Sequence, residues 1–399
     1  MSVKVTVDLL KGKDIKPVGC RICGGELVPA LSLVKKGDVA NTFTCVGHSF
    51  ATGRFVACDS QGMYVSTDGL DFIKLATASG RGFALEDVYK GKPRALMLSG
   101  FRCLAHDGGG FIVYGNPSNL YCGAVHCGRL FGIDADNRYI LRWSKSGVND
   151  WEEGINGAGK LVLDPERGAG LDIVSYGGNL IVIRQYGLTV LKMYGSPENF
   201  SVNITDTDCD EIYEGTAKTV LGKLYFYTSS GLKVYDGSVI KRVSHRLENE
   251  IALPICAAEY GGKYYLACNL KEGGKGILCY DPDDGESYLI SGGVNCLCRA
   301  DGVYAYDNTA KYKLEKGGEY TFSSGKINFG TDEDKTVLSL RVDGARADIT
   351  ISNGTEKLKY TNVSGIIRPR LKGAYFTVEV KGVNTLRSIT ATAEVANAV

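Results

Sequence analysis

Gly222-Lys223-Leu224-Tyr225-Phe226-Tyr227, followed by Gly231-Leu232-Lys233-Val234-Tyr235-Asp236, consists of two short aliphatic and aromatic runs, each led by glycine, the second closed by Tyr-Asp. Runs of this length and composition with Gly, Asn or Asp at the reversals read as a β-hairpin. The same phrase recurs along the chain. Gly53–Cys58 is followed by Gly62–Ser66, Gly110–Tyr114 by Asn119–Cys122, and Gly128–Ile133 by Arg138–Ser144. Gly178–Ile183 leads to Gly187–Leu191, Gly262–Ala267 leads to Gly276–Asp281, and Asp301–Asp307 is a shorter copy.

The period decides the architecture. From Gly178 to Gly222, Gly262 and Gly302 the steps are 44, 40 and 40 residues, the length of a four-stranded propeller blade of roughly 40–50 residues. A lone hairpin cannot bury both faces, whereas blades stacked around an axis cover one another. The spacing therefore predicts an all-β chain with an irregular six- or seven-bladed β-propeller over residues 39–316 and a segment at 1–38 that closes or flanks it. A β-sandwich or stacked hairpins with accidental spacing is the alternative.

Near Gly317-Gly318 the phrase stops. Residues 321–399 read as alternating strands between polar turns: Lys335–Val342, Ala347–Ile351, Glu356–Tyr360, Ile366–Arg370, Tyr375–Val380 and Leu386–Ala391. That is enough for a small C-terminal β-sandwich. Helix is expected only at Arg246–Ile251 and in parts of the first forty residues.

Composition narrows the function. The 399 residues include 52 glycines, against a usual share of about 7%, and the 46 Lys+Arg against 45 Asp+Glu leave a net charge of +1. No global field attracts phosphates, so a strongly basic nucleic-acid binder is excluded and only a local basic lining is open. The opening MSVKVTVDLLKGKD builds no apolar run before a cleavage site and does not read as a signal peptide. No run of about eighteen apolar residues exists to insert into a membrane. The 13 cysteines are expected to be reduced, small core residues.

No catalytic, cofactor-binding or metal-binding residues are expected. The nearest approach to a metal site is Cys20 and Cys23 with Cys45 and His48, whose Cys-x2-Cys and Cys-x2-His spacings resemble a structural zinc site. Buried free thiols are the opposing reading, since Cys45 lies in a strand-like run. His48, His106, His126 and His245 sit in no nucleophile pattern. Ser66–Phe72 resembles a shifted Asp-box turn of sialidase propellers, but aspartate and glycine there suffice to build a reversal. Asp281–Gly285 lacks the ligand set of a calcium loop. Gly108–Gly110 precedes a strand and so forms no phosphate-binding helix N-terminus.

His126–Phe131, Asn137–Ser144 and Asn149-Asp150-Trp151, with Gly170–Val174, Gly178–Arg184 and Gly187-Leu188, resemble the blade segments of tailed-phage virion propellers of the tail hub, packaged-DNA stabilisation and nozzle type. Ile366–Ile389 is similar to their closing sandwich strands. The resemblance covers about residues 40–395; the first forty depart from the family's usual opening. It implies a non-enzymatic virion structural protein, assembled in the host cytoplasm into a homo-oligomeric ring, usually sixfold, beneath the portal and adaptor. Its partners would be other tail proteins, with weak non-specific contact to the genomic DNA in the channel. A phage receptor- or glycan-binding propeller and an intracellular propeller scaffold are the alternatives, because one fold hosts many functions.

Overall fold

In Asn179–Arg184 every residue but the first is buried, because both faces of the strand are covered. Leu180 and Val182 turn one way, into a core with Phe131 and Trp143. Ile181 and Ile183 turn the other way, into a core with Leu224 and Phe226. Each such side chain contributes about 1.5–3 kcal/mol on burial. The period-two alternation thus sorts one strand's side chains between two neighbouring sheets.

The computed structural model describes residues 2–12, 14–78, 82–89, 92–115, 119–146, 150–154, 157–203 and 207–396. Six four-stranded sheets stand by themselves, and a seventh set of four strands heads a 14-stranded sheet. In chain order, blade 1 is Cys45–Ser49, Arg54–Cys58, Gly62–Ser66 and Ile73–Thr77. Blade 2 is Gly82–Tyr89, Lys92–Ser99, Arg102–His106 and Phe111–Gly115. Blade 3 is Leu120–His126, Arg129–Asp134, Ile140–Trp143 and Gly159–Val162. Blade 4 is Gly170–Tyr176, Asn179–Arg184, Gly187–Lys192 and Ser201–Asn203. Blade 5 is Lys218–Val220, Lys223–Thr228, Gly231–Tyr235 and Ile240–Arg242. Blade 6, which belongs to the large sheet, is Ile251–Tyr260, Lys263–Leu270, Lys275–Tyr280 and Ser287–Ser291. Blade 7 takes Cys296–Arg299, Val303–Tyr306 and Ala310–Lys316 from late in the chain, and its outermost strand, Leu31–Asp38, from early in it.

The recurring aspartate has a mechanical role. Asp59 accepts the backbone N–H groups of Gln61 and Gly62, both at 2.7 Å. Asp236 does the same for Ser238 and Val239 at 3.1 Å, and Asp307 for Thr309 and Ala310 at 2.7 and 2.8 Å. Each is an Asx turn that ends one strand and starts the next. Hydrogen bonds from Lys241, Ser238 and the turn backbone hold the Asp236 carboxyl well below the usual carboxylate range.

The rest of the large sheet is built from both ends of the chain. Ser2–Asp8 runs antiparallel to Leu386–Ala396. Lys16–Val18 lies between the last strand of blade 6 and Tyr320–Ser323. Leu9, Leu10, Ile15, Cys20 and Leu27 share one core with Val337, Leu340, Ile349, Val378 and Ile389. Lys335–Ser352 pairs first with Leu386–Ala396, with a register break at Asp343-Gly344, and then with Thr377–Gly382, while its pairing with Lys357–Ile367 breaks between Val342 and Ala347. This bend lets one strand serve both layers of a β-sandwich. The sandwich is tied to blade 6 by Lys16, whose ammonium reaches Glu250 and lies 2.9 Å from Glu272.

The all-β propeller followed by a sandwich is the architecture the repeat predicts, with local differences. Lys335–Val342 and Ala347–Ile351 are one 18-residue strand, because the intervening polar residues form a bend. The first forty residues hold strands, not helix, apart from one 3-10 turn at Leu9–Lys11: their apolar side chains have partners across the sandwich. Arg246–Ile251 contributes only the 3-10 turn Glu248–Glu250. Finally, Gly110–Tyr114 and Asn119–Cys122 are not one hairpin. The first forms the outer strand of blade 2 and the second opens blade 3. The repeat as read from the sequence passes over the central hairpin of blade 2, Lys92–Ser99 and Arg102–His106, although Gly91 leads its first strand and Gly100 lies in its turn.

Candidate functional site: the propeller axis and its rim

The first strand of every blade lies at the axis. Thr44–Gly47, Gly82–Leu85, Cys122-Gly123, Asp172–Val174, Ala217–Thr219, Cys256-Ala257 and Asn295–Leu297 together line a cavity of about 380 Å³. Each inner strand is the edge of its sheet, so its outward N–H and C=O groups face this cavity and call for water. The bore is narrow because the blades pack closely. A Cβ on Gly47 would come within 2.7 Å of the Ala84 Cβ across the blade 1–blade 2 seam.

The two mouths differ in chemistry. At the end where the inner strands begin, Thr42–Thr44, Tyr213, Glu214 and Pro254 border a recess of about 580 Å³. Here the Tyr121 hydroxyl of blade 3 donates to the Glu214 carboxylate ahead of blade 5. The Arg138 guanidinium lies 4.0 Å from the centroid of the Tyr121 ring. At the opposite end His48, Phe50, Glu86, Lys218, Glu259 and Arg299 border a cavity of about 410 Å³. Arg299 pairs with Glu259 at 2.6 Å and stacks on Phe50. Basic and acidic groups alternate, so neither mouth forms a basic lining.

Thiols are concentrated at the axis. Cys256 Sγ donates to the Asn295 carbonyl at 3.5 Å and Cys296 Sγ to the Phe43 carbonyl at 3.2 Å, each reaching the next blade. Burial pushes the Cys256 thiol up to about 11 and raises that of Cys296 further. These thiols act as small apolar residues, and none of the 13 cysteines is in a disulfide.

The four residues weighed for zinc are not brought together. Cys20 and Cys23 lie on a hairpin of the sandwich, and Cys45 and His48 lie on the inner strand of blade 1. Among the described residues no group of three or more His, Cys, Asp or Glu side chains could hold a metal ion. The spacing was satisfied by two separate hairpins.

The remaining candidates are structural. In the Asp-box-like turn Asp68 accepts the N–H of Leu70 at 2.9 Å and that of Asp71 at 3.2 Å, while Ser66 Oγ accepts from Gly69 N at 2.9 Å. The Lys311 ammonium, between the Phe55 and Tyr304 rings, donates to the Asp68 carbonyl. The polar atoms of this turn serve the turn itself. Asp281 likewise accepts from Asp283 N. His106 Nδ1 accepts from Gly108 N at 3.1 Å, and His245 is buried with neither ring nitrogen partnered. Of the residues quoted for the phage resemblance, Asn149 lies outside the described residues.

One constellation passed over in the sequence sits at the rim of blade 3. His126, 4% exposed, ends that blade's inner strand. Its Nδ1 lies 2.8 Å from Ser175 Oγ of blade 4 and its Nε2 lies 3.5 Å from the Sγ of exposed Cys127. Cys127 has φ 46° and Gly128 φ 72°, both in the left-handed region required of a tight two-residue hairpin turn. The visible signal was His-Cys-Gly at a hairpin tip; the serine, from another blade, was invisible without the fold.

No family model matches the chain, and no curated protein matches it. Among solved structures it is similar to the extracellular domain of a protein described as a one-component system from B. thetaiotaomicron. That likeness has 10% identity and a TM-score of 0.48, with 88% of this chain and 56% of that chain covered. This chain therefore spans little more than half the length of that structure. It is also similar to a chain of the Mitotic Checkpoint Complex, at 7% identity and TM-score 0.45 over 71% of this chain and 90% of that one. A third likeness is to the N-terminal domain of Nup159, at 9% identity and TM-score 0.43 over 72% and 98%. All three TM-scores lie below 0.5, and the functional reading rests on the molecule's own geometry.

Proposed function

We propose that the chain is a non-enzymatic structural subunit of a bacteriophage virion tail, of the hub or nozzle kind, which assembles into a ring around the path of the genome. The observation that carries a subunit role is the apolar flank of the propeller. Ile73, Ile112, Val162 and Val202 on the outermost strands of blades 1 to 4, with Val239 just ahead of that of blade 5, are between 44% and 70% exposed. Phe111 and Val113 flank Ile112 and are also exposed. Outer strands are edges with open backbone groups, and proteins that remain single guard such edges with charge. Blade 6 needs no guard, since the sandwich continues its sheet.

The bore within one chain is too small for a duplex, so a DNA conduit requires several copies around a shared axis. The net charge of +1 suits a wall past which DNA slides with weak, salt-sensitive contact. Portal, adaptor and other tail proteins are the partners this reading implies.

Cryo-electron microscopy and mass photometry of the purified chain test it, together with immunodetection in virions. The expected result is a closed ring, sixfold if the resemblance holds, burying more than about 2,000 Å² per contact as permanent assemblies do, and the chain present in particles. A monomer at every concentration that is also absent from particles overturns it.

A further inference from the structure

The rim of blade 3 holds a thiol, an imidazole and a hydroxyl in sequence, and this arrangement is independent of any assembly role. The Cys127 sulfur is exposed and 3.5 Å from His126 Nε2. The other ring nitrogen of His126 meets Ser175 Oγ at 2.8 Å. A neutral imidazole has one N–H and one lone pair, and the bond made by one nitrogen sets the role of the other. With Nδ1–H donating to Ser175 Oγ, Nε2 keeps its lone pair towards the Cys127 S–H. This is the relation of nucleophile, base and orienting group on which activated thiols rely.

We propose that Cys127 is a covalent modification site, an accessible thiol deprotonated by His126 as Ser175 holds the ring, whose substrates are small disulfides and soft carbon electrophiles. With a small disulfide such as oxidised glutathione, the Cys127 S–H proton passes to His126 Nε2. The sulfur attacks one disulfide sulfur, a new S–S bond forms and the old one breaks. The departing thiolate then takes the proton and leaves as the free thiol. Two electrons are conserved within the exchange, and no further oxidant is required.

The setting supports this assignment over the other thiols. Desolvation at the axis raises the thiols of Cys256 and Cys296, a condition that disfavours the thiolate nucleophile. Cys127 is exposed at a hairpin tip. Burial lowers the His126 imidazole from its ordinary value, so the resting ring is neutral and the Nε2 lone pair stands open to the Cys127 S–H. Cys23 supplies an internal standard, since it too is free and exposed, and it has no hydrogen-bonded histidine among the described residues. Modification is stoichiometric and leaves a structural role intact.

The experiment is a short pulse of iodoacetamide, and separately of oxidised glutathione, on the full native chain at pH 7, with peptide mass spectrometry reporting Cys127 and Cys23 modification in the same sample. Cys127 is expected to react at least about tenfold faster than Cys23, within the range a positioned base supplies. His126→Gln should bring the ratio to near one, and Ser175→Ala should lower it to an intermediate value. Because Cys23 is read in the same molecule, a variant that unfolds reveals itself by fast labelling of the buried cysteines. Ser175→Ala, at an exposed position, is the variant that keeps the test open if His126→Gln does not fold. Equal rates at Cys127 and Cys23 in the native chain, or a ratio unchanged in both variants, overturn the proposal.

Discussion

Val34 pairs with Lys313 across the seam that closes the propeller. The pairing continues from Leu31 opposite Lys316 to Asp38 opposite Ala310, and Leu31 and Leu33 pack against the core between blades 6 and 7. Deletion of residues 1–38 should therefore open blade 7 and also remove Leu9, Leu10, Ile15 and Leu27 from the sandwich core. At about 2–5 kcal/mol for each buried leucine or isoleucine lost, the truncated chain is expected to lack a cooperative transition. Loss of the sigmoidal thermal melt in near-ultraviolet circular dichroism checks this.

Gly82 opens the inner strand of blade 2 against blade 1, where a Cβ would lie 2.1 Å from the Cys58 Cβ. Gly82→Ala should cost about 1–3 kcal/mol by overpacking, and Gly82→Val more. The midpoint of urea unfolding reports the order; an unchanged midpoint in Gly82→Val would show that the seam yields freely.

Lys335 is 2% exposed, and its ammonium donates to the carbonyls of Asn328 and Ala374 at 2.8 and 2.7 Å and to that of Thr331. Lys335→Met keeps the length of the side chain and leaves these acceptors without their donor. A loss of about 2 kcal/mol or more is expected at the cost of an unsatisfied buried group, measurable by chemical denaturation at neutral pH.

His245 is buried beside Tyr280 with neither ring nitrogen partnered, and burial lowers its imidazole from 6.5 to about 4. The folded state therefore binds this proton less readily than the unfolded chain. Its contribution to stability is complete above pH 6.5, shrinks as the pH falls below that value, and is gone by about pH 4. The full span is roughly 3 kcal/mol at 1.36 kcal/mol per unit. His245→Phe should flatten stability between pH 7 and pH 4.5 by roughly that amount; a variant whose acid sensitivity matches the parent chain would place the effect elsewhere.

Ile112→Lys combined with Val162→Lys places charge on the outer strands of blades 2 and 3. Both side chains are exposed, so the thermal midpoint should stay close to that of the parent, while the proposed ring dissociates to monomers in sedimentation velocity. Rings that survive the double substitution would move the contact to another face.

The blade phrase was legible because Gly and Asp punctuate strands whose two faces are both covered, as in Leu180 and Val182 against Ile181 and Ile183. The closing strand was harder to read. Leu31–Asp38 finds its neighbour in Ala310–Lys316, the whole propeller away in sequence, and no periodicity connects them. The alternation within Lys335–Val342 and within Ala347–Ile351 did not reveal that they form one bent strand, since register shifts move burial from Val337 to Leu340 and Val342 and then back to Ala347, Ile349 and Ile351. The zinc-like spacing was ambiguous in the sequence because Cys-x2-Cys and Cys-x2-His arise readily in short strands, and only the fold separates the two hairpins. His126 and Cys127 were visible as neighbours, but Ser175 joins them only when blade 4 packs against blade 3.

Because Ser2–Asp8 lies alongside Leu386–Ala396, the sandwich has a high contact order, and on a ribosome Ser2–Asp8 waits for its partner until residue 396 has emerged. Blades 1 to 5 contain only contiguous segments and can form during synthesis, whereas the closing of blade 7 and the sandwich both depend on pairings between distant segments. Such long-range closure is slow to form, which makes the interval between the completion of blade 5 and the emergence of Leu386–Ala396 the period when this protein is most exposed to misassembly.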